Sequence, residues 1–113
     1  MITYYHNPRC QKSREGLALL EESGKDFKLR KYLNERMSKD ELEKVIYKLD
    51  IKPIELVRKN EALWKEKYAD KKLADKTVIS ILLNNPKLIE RPILVNGNRA
   101  VIGRPPSNIN SLL

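Results

Sequence analysis

Apolar and polar positions follow two periods along the chain, and each period predicts its own kind of element. Ile2-Thr3-Tyr4-Tyr5 is a short β-branched and aromatic run that predicts a buried strand. His6-Asn7-Pro8 then stops it, because proline has no N–H to give to a sheet. Gln11 to Ser23 reads as a helix with Leu17, Leu19 and Leu20 on its apolar side, and Gly24 suits the left-handed position after the last turn. Asp26 to Tyr32 alternates apolar and charged residues with period two, which predicts a strand with one wet face at a sheet edge. In Ser38 to Leu49 the spacing of Leu42, Val45, Ile46 and Leu49 puts them on one helical face, behind a Ser38 and Glu41 capping pair. That face predicts core packing. Pro53 opens a short helix through Val57, Glu61 to Tyr68 holds another turn or two, and Asp75 caps Lys76 to Leu83 before Asn84-Asn85-Pro86. Pro92 to Val95 and Arg99 to Ile102 are β-rich runs joined through Asn96-Gly97-Asn98, a hairpin turn sequence. Ser107 is placed to cap a last short helix to Leu113.

The order strand, helix, strand, helical block, hairpin, helix gives, on layer logic, a small mixed sheet of about four strands covered by helices. This is an α/β skeleton of the thioredoxin-like kind, with a helical insertion at about residues 38–90 before the C-terminal hairpin. The chain's 113 residues fit one domain, 1–113. No repeat or low-complexity tract interrupts it.

Charge narrows the partners. Lys plus Arg number 23 against 15 Asp plus Glu, a formal charge of +8 that favours anions. One cysteine and one histidine exclude an intrachain disulfide, a cysteine-rich zinc site and a histidine cluster, so no metal or bound cofactor is expected. No signal-peptide pattern opens the chain and no apolar run approaches the roughly 20 residues of a membrane helix, so the reading is cytoplasmic with no membrane partner. No helix-turn-helix or zinc pattern supports direct nucleic-acid binding.

Cys10 is predicted at a helix N-terminus, where unpaired N–H groups favour thiolate over thiol. Arg9, Lys12 and Arg14 add positive charge, and the Ser13 hydroxyl is placed to donate to the sulfur. An ordinary buried cysteine is the alternative. The three cations and the lack of flanking apolar residues favour a reactive one.

Tyr4-Tyr5-His6-Asn7-Pro8-Arg9-Cys10-Gln11-Lys12-Ser13-Arg14 closely resembles the active-site segment of the glutaredoxin-coupled arsenate reductases. Three later segments resemble that family's arginine-bearing segments in the same order: Leu56 to Asn60, Asn85 to Ile93, and Gly103 to Pro105. The resemblance implies Cys10 as nucleophile, His6, Ser13 and Arg14 in support, and Arg58, Arg91 and Arg104 as ligands of a substrate oxyanion. It also implies a cis peptide bond before Pro92, facing the cysteine. Arsenate, glutathione as co-substrate and glutaredoxin are the implied partners. His6 is either a general acid or orienting group near the thiolate or a hydrogen-bonded structural residue. Trp64 and Tyr68 form either a partner surface or part of the helical block's interior, with burial favoured. Two departures from the pattern stand out. Ser13 occupies the place of the second cysteine found in thioredoxins and Spx-type regulators, so an outside thiol must complete any redox cycle, and Arg9 stands where a small neutral residue is common. The alternative function is an Spx-like transcription regulator that binds RNA polymerase without turnover.

Overall fold

β1 (Ile2–Tyr5) is the axis on which the first part of the chain is built. The computed structural model describes all 113 residues. β1 pairs in parallel with β2 (Phe27–Arg30), from Ile2 opposite Phe27 to Tyr5 opposite Arg30. On its other side it pairs antiparallel with β3 (Ile93–Asn96), which continues into β4 (Arg99–Ile102), giving the sheet order β2-β1-β3-β4. The fold is therefore the expected thioredoxin-like α/β type, with a four-stranded mixed sheet. The β3–β4 hairpin closes through Gly97 and Asn98, with Gly97 at φ 63°, the backbone that a tight two-residue loop demands and that glycine adopts without a steric penalty.

α1 (Gln11–Glu22) connects β1 to β2 and ends as expected, with Gly24 at φ 71° donating to the Glu21 carbonyl. Its Leu20 packs with Ile2, Tyr4, Leu94 and Ile109 into one apolar core, flanked by Leu17, Leu19, Phe27, Val101, Leu112 and Leu113. β2 is an edge strand, but it is shorter than the alternating run, because the backbone after Arg30 turns through Lys31–Glu35. Its period-two pattern also fails in detail, since Leu29 is 36% exposed. The final segment, Pro106–Leu112, is a 3-10 helix entered from Pro105, so Ser107 caps nothing.

Two compact units result: Met1–Glu35 with Arg91–Leu113, and Arg36–Glu90. The second is helical, with α2 (Lys39–Leu49), α3 (Ala62–Lys67) and α4 (Asp75–Asn84), and 3-10 turns at Pro53–Leu56 and Pro86–Leu88. Ser38 caps α2 by accepting from the Glu41 N–H at 3.1 Å, and Leu42, Val45 and Ile46 are buried. Asp75 is the first residue of α4, and Ala74 occupies the cap position assigned to Asp75 from sequence. Its carboxylate still suits the positive end of the helix dipole. Trp64 is 4% exposed and stacks at a tilt on half-buried Tyr68, with ring centroids 5.3 Å apart, which matches the burial reading. No helix is long and apolar enough to cross a membrane.

Candidate active site

The loop from β1 to α1 is held by its own short-range bonds. Asn7 Oδ1 accepts from the Arg9 N–H at 3.0 Å and the Asn7 carbonyl accepts from the Cys10 N–H at 3.0 Å, so the asparagine folds the loop back on itself. The Cys10 carbonyl accepts from the Arg14 N–H, which starts α1, and Cys10 occupies the N-cap position with extended backbone. Its half-buried sulfur therefore faces the unpaired N–H groups of the first turn.

Opposing forces act on that thiol. Burial raises its pKa, but hydrogen bonds from the Ser13 N–H, the Arg91 side chain and the Lys12 N–H, with the Arg91 charge, outweigh burial and hold it below the ordinary thiol range. The helix terminus acts as expected; the cation and the donors differ from those read in the sequence. The Ser13 hydroxyl does not serve the sulfur. It is fully buried, accepts from the Asn7 N–H at 3.0 Å and lies 2.7 Å from His6 Nδ1, and only its backbone N–H turns to Cys10. Arg14 is likewise displaced from its expected role: its Nη1 donates to the Pro8 carbonyl at 2.8 Å and pins the loop. Lys12 pairs with Glu15 at 3.8 Å near solvent and acts on the sulfur through its backbone.

His6 belongs to the same network. It is 4% exposed, and burial, with Lys31 and Arg14 nearby, lowers its proton affinity against the opposing pull of Glu21. A neutral ring with Nδ1 accepting from the Ser13 hydroxyl fits the Asn7 to Ser13 to His6 sequence of donors. Tyr4 completes the support, donating its hydroxyl to the Ser13 carbonyl at 2.7 Å, with burial keeping the phenol protonated. Asn7 and Tyr4 stood in the recognised segment with no assigned role; the Asn-Pro pair was the one local sign of a folded-back turn.

Arg91 reaches the site through Pro92. The Arg91-Pro92 bond is cis, as expected, and so is Arg104-Pro105. Pro92 is fully buried and its carbonyl accepts from the Gly103 N–H at 2.8 Å. Arg104 Nη1 donates to the Arg91 carbonyl at 3.3 Å, while Asn108 Nδ2 steadies the Arg104 carbonyl at 3.1 Å. Cys10, Arg91 and Arg104 thus lie in one bonded neighbourhood. Arg58 belongs to the helical unit, where its guanidinium lies 3.2 Å from a Glu61 carboxylate oxygen and 3.6 Å from one of Glu90.

The sequence profile of the ArsC family matches residues 5–112. The chain is 38% identical over 114 aligned positions to an arsenate reductase of Haemophilus influenzae, covering 99% of this chain and 98% of that protein. It is 36% identical to an arsenate reductase of Neisseria meningitidis serogroup A, covering 99% and 97%. Among solved structures, an arsenate reductase from Vibrio cholerae superposes with a TM-score of 0.93 at 39% identity, covering 99% of this chain and 97% of that one. With a matching profile along almost its whole length and relatives of this similarity, the chain belongs to the ArsC family.

Proposed function

We propose that this protein is an arsenate reductase whose nucleophile is Cys10. One observation carries the reading: a thiol at a helix N-terminus, its pKa depressed against burial, bonded to the side chain of an arginine. An anion-binding guanidinium beside a thiolate is what a reaction between sulfur and an oxyanion requires.

In the proposed reaction the Cys10 thiolate attacks arsenic, an S–As bond forms, and one arsenate oxygen leaves as water after gaining two protons. Glutathione thiolate then attacks the Cys10 sulfur. A disulfide forms, the S–As bonding pair stays on arsenic, and As(V) becomes As(III), released as arsenite. Glutaredoxin attacks the mixed disulfide and returns Cys10 to the thiol. Cys10 is the only cysteine of the sequence, so no second thiol of this sequence substitutes for the outside one. Arg91 and Arg104 hold the oxyanion and offset the charge that accumulates as two anions approach, a role that the resemblance also implies for Arg58. Asn7, Ser13, His6 and Tyr4 act as positioning residues, fixing the turn that aims N–H groups at the sulfur.

The test is turnover of arsenate with glutathione and glutaredoxin supplied, followed by release of arsenite. Turnover abolished by Cys10→Ser supports the reading. Wild-type protein that reduces no arsenate with any small thiol refutes it.

A further inference from the structure

A cavity of about 260 Å³ opens on the loop leading into Cys10, lined by His6, Asn7, Pro8 and Arg9 from one side and Lys31, Leu33 and Asn34 from the other. Two of the seven lining residues are cations and none is an acid. The ion pairs of the protein engage other groups, so neither the Arg9 guanidinium nor the Lys31 ammonium has a carboxylate partner. Both cations stand on folded turns: the Arg9 N–H is fixed by Asn7 Oδ1, and the Lys31 carbonyl accepts from the Asn34 and Glu35 N–H groups. Leu33, 36% exposed, adds an apolar wall. A pair of exposed cations without carboxylate partners, beside one apolar side chain, suits a carboxylate on a short aliphatic stem.

We propose that this cavity binds the carboxylate arm of the outside thiol, so that Arg9 and Lys31 select small anionic thiols of the glutathione class over neutral ones. The inference rests on the reading of Cys10 as a cysteine regenerated by an external thiol. Geometry supports it on two counts. The volume is below the roughly 300 Å³ at which ligand pockets begin, so it accepts one arm of such a molecule and leaves the sulfur outside. Arg9 directly precedes Cys10, with consecutive Cα atoms about 3.8 Å apart, so a thiol anchored there is held on the same loop as the cysteine.

The test avoids arsenate, so its failure is distinct from failure of the reductase reading. The Cys10 thiolate attacks one sulfur of a disulfide, a new S–S bond forms, and the other sulfur leaves as thiolate with no net oxidation. Rates are measured with glutathione disulfide, which is anionic, and with bis(2-hydroxyethyl) disulfide, which is neutral, and their ratio is taken. In Arg9→Ser/Lys31→Ser the ratio is expected to fall roughly five- to ten-fold. Lys25→Ser/Lys71→Ser removes the same charge elsewhere and is expected to leave the ratio near wild type. A ratio unchanged in the first variant overturns the proposal, and so does an equal fall in both, which would assign the preference to attraction by the net charge of +8.

Discussion

Ser13 carries more of the site than its hydroxyl alone, because side chain, N–H and carbonyl each have a separate partner: His6 with Asn7, the Cys10 sulfur, and Tyr4. The sequence made Cys10 and its helix terminus readable, since both depend on residues within one turn. The true use of Ser13 was unreadable, because a histidine seven positions earlier, just past the end of β1, takes the hydroxyl. For the same reason the local cations Arg9, Lys12 and Arg14 looked decisive, whereas the side chain bonded to the sulfur comes from Arg91. Titration of the thiolate absorbance is therefore expected to show a midpoint below the free-thiol value, and Arg91→Met is expected to move it up while Arg9→Ser shifts it less. His6 yields a second expectation at this scale. Its folded pKa lies below the usual 6.5, so between those values the unfolded chain binds more protons and stability is lost as pH falls. That contribution is complete above about pH 6.5 and declines toward the lower folded value. Urea midpoints compared between pH 7.5 and pH 5 are expected to drop less in His6→Gln, which keeps an acceptor for Ser13 without the titration.

At the scale of elements, α1 and α2 differ in how openly they declare their buried faces. The α2 face follows a plain 3.6-residue period and its cap lies three residues from its partner, so it was read correctly. In α1 the buried positions include Ser13 and Gly16 beside Leu20, a small and polar stripe that no hydrophobic count detects. Its cause lies in distant elements. A Cβ built on Gly16 would collide with the Tyr4 hydroxyl and approach Pro92 Cγ at 3.4 Å. Glycine here sets how closely α1 lies on β1, and thereby where the Cys10 terminus sits. Gly→Ala inside a helix normally stabilises by about 0.5–1 kcal/mol. Gly16→Ala is expected to reverse that sign, losing about 1–3 kcal/mol as overpacking displaces the Tyr4 hydroxyl from the Ser13 carbonyl. Urea unfolding measures it, and a stabilised variant would remove the close-approach account. The shortened β2 and the 3-10 form of the last helix also escaped the sequence, because a turn after Arg30 and two successive prolines override the local pattern.

Across the whole molecule, the proposed oxyanion site draws on segments far apart in the chain, and resemblance rather than periodicity made them visible. Among 23 basic residues, Arg58, Arg91 and Arg104 taken singly read as solvated surface charges, and only their placement against proline and asparagine in the matched segments set them apart. Their bonds separate them now: Arg91 serves the sulfur, Arg104 serves the Arg91 carbonyl, and Glu61 and Glu90 hold Arg58. Lysine at any of these positions keeps the charge but loses the planar fork, which pairs two N–H groups with two anion oxygens. Each Arg→Lys variant is therefore expected to lose about ten-fold or more in arsenate turnover, the equivalent of one hydrogen bond to a charged group. Alkylation of Cys10 by a neutral reagent separates the roles. Arg91→Lys is expected to slow it near neutral pH, because the guanidinium bond to the sulfur is gone. Arg58→Lys and Arg104→Lys should leave it close to wild type. Lys25→Arg and Lys71→Arg, at positions outside the four matched segments, control for general changes in basic side chains and should be silent in both assays. If the three arginine variants turn over arsenate as well as those controls do, charge alone is sufficient and the fork geometry has no part in binding the oxyanion. If turnover falls while alkylation divides Arg91 from the other two, one arginine both activates the sulfur and receives the anion, and the other two act on the anion alone.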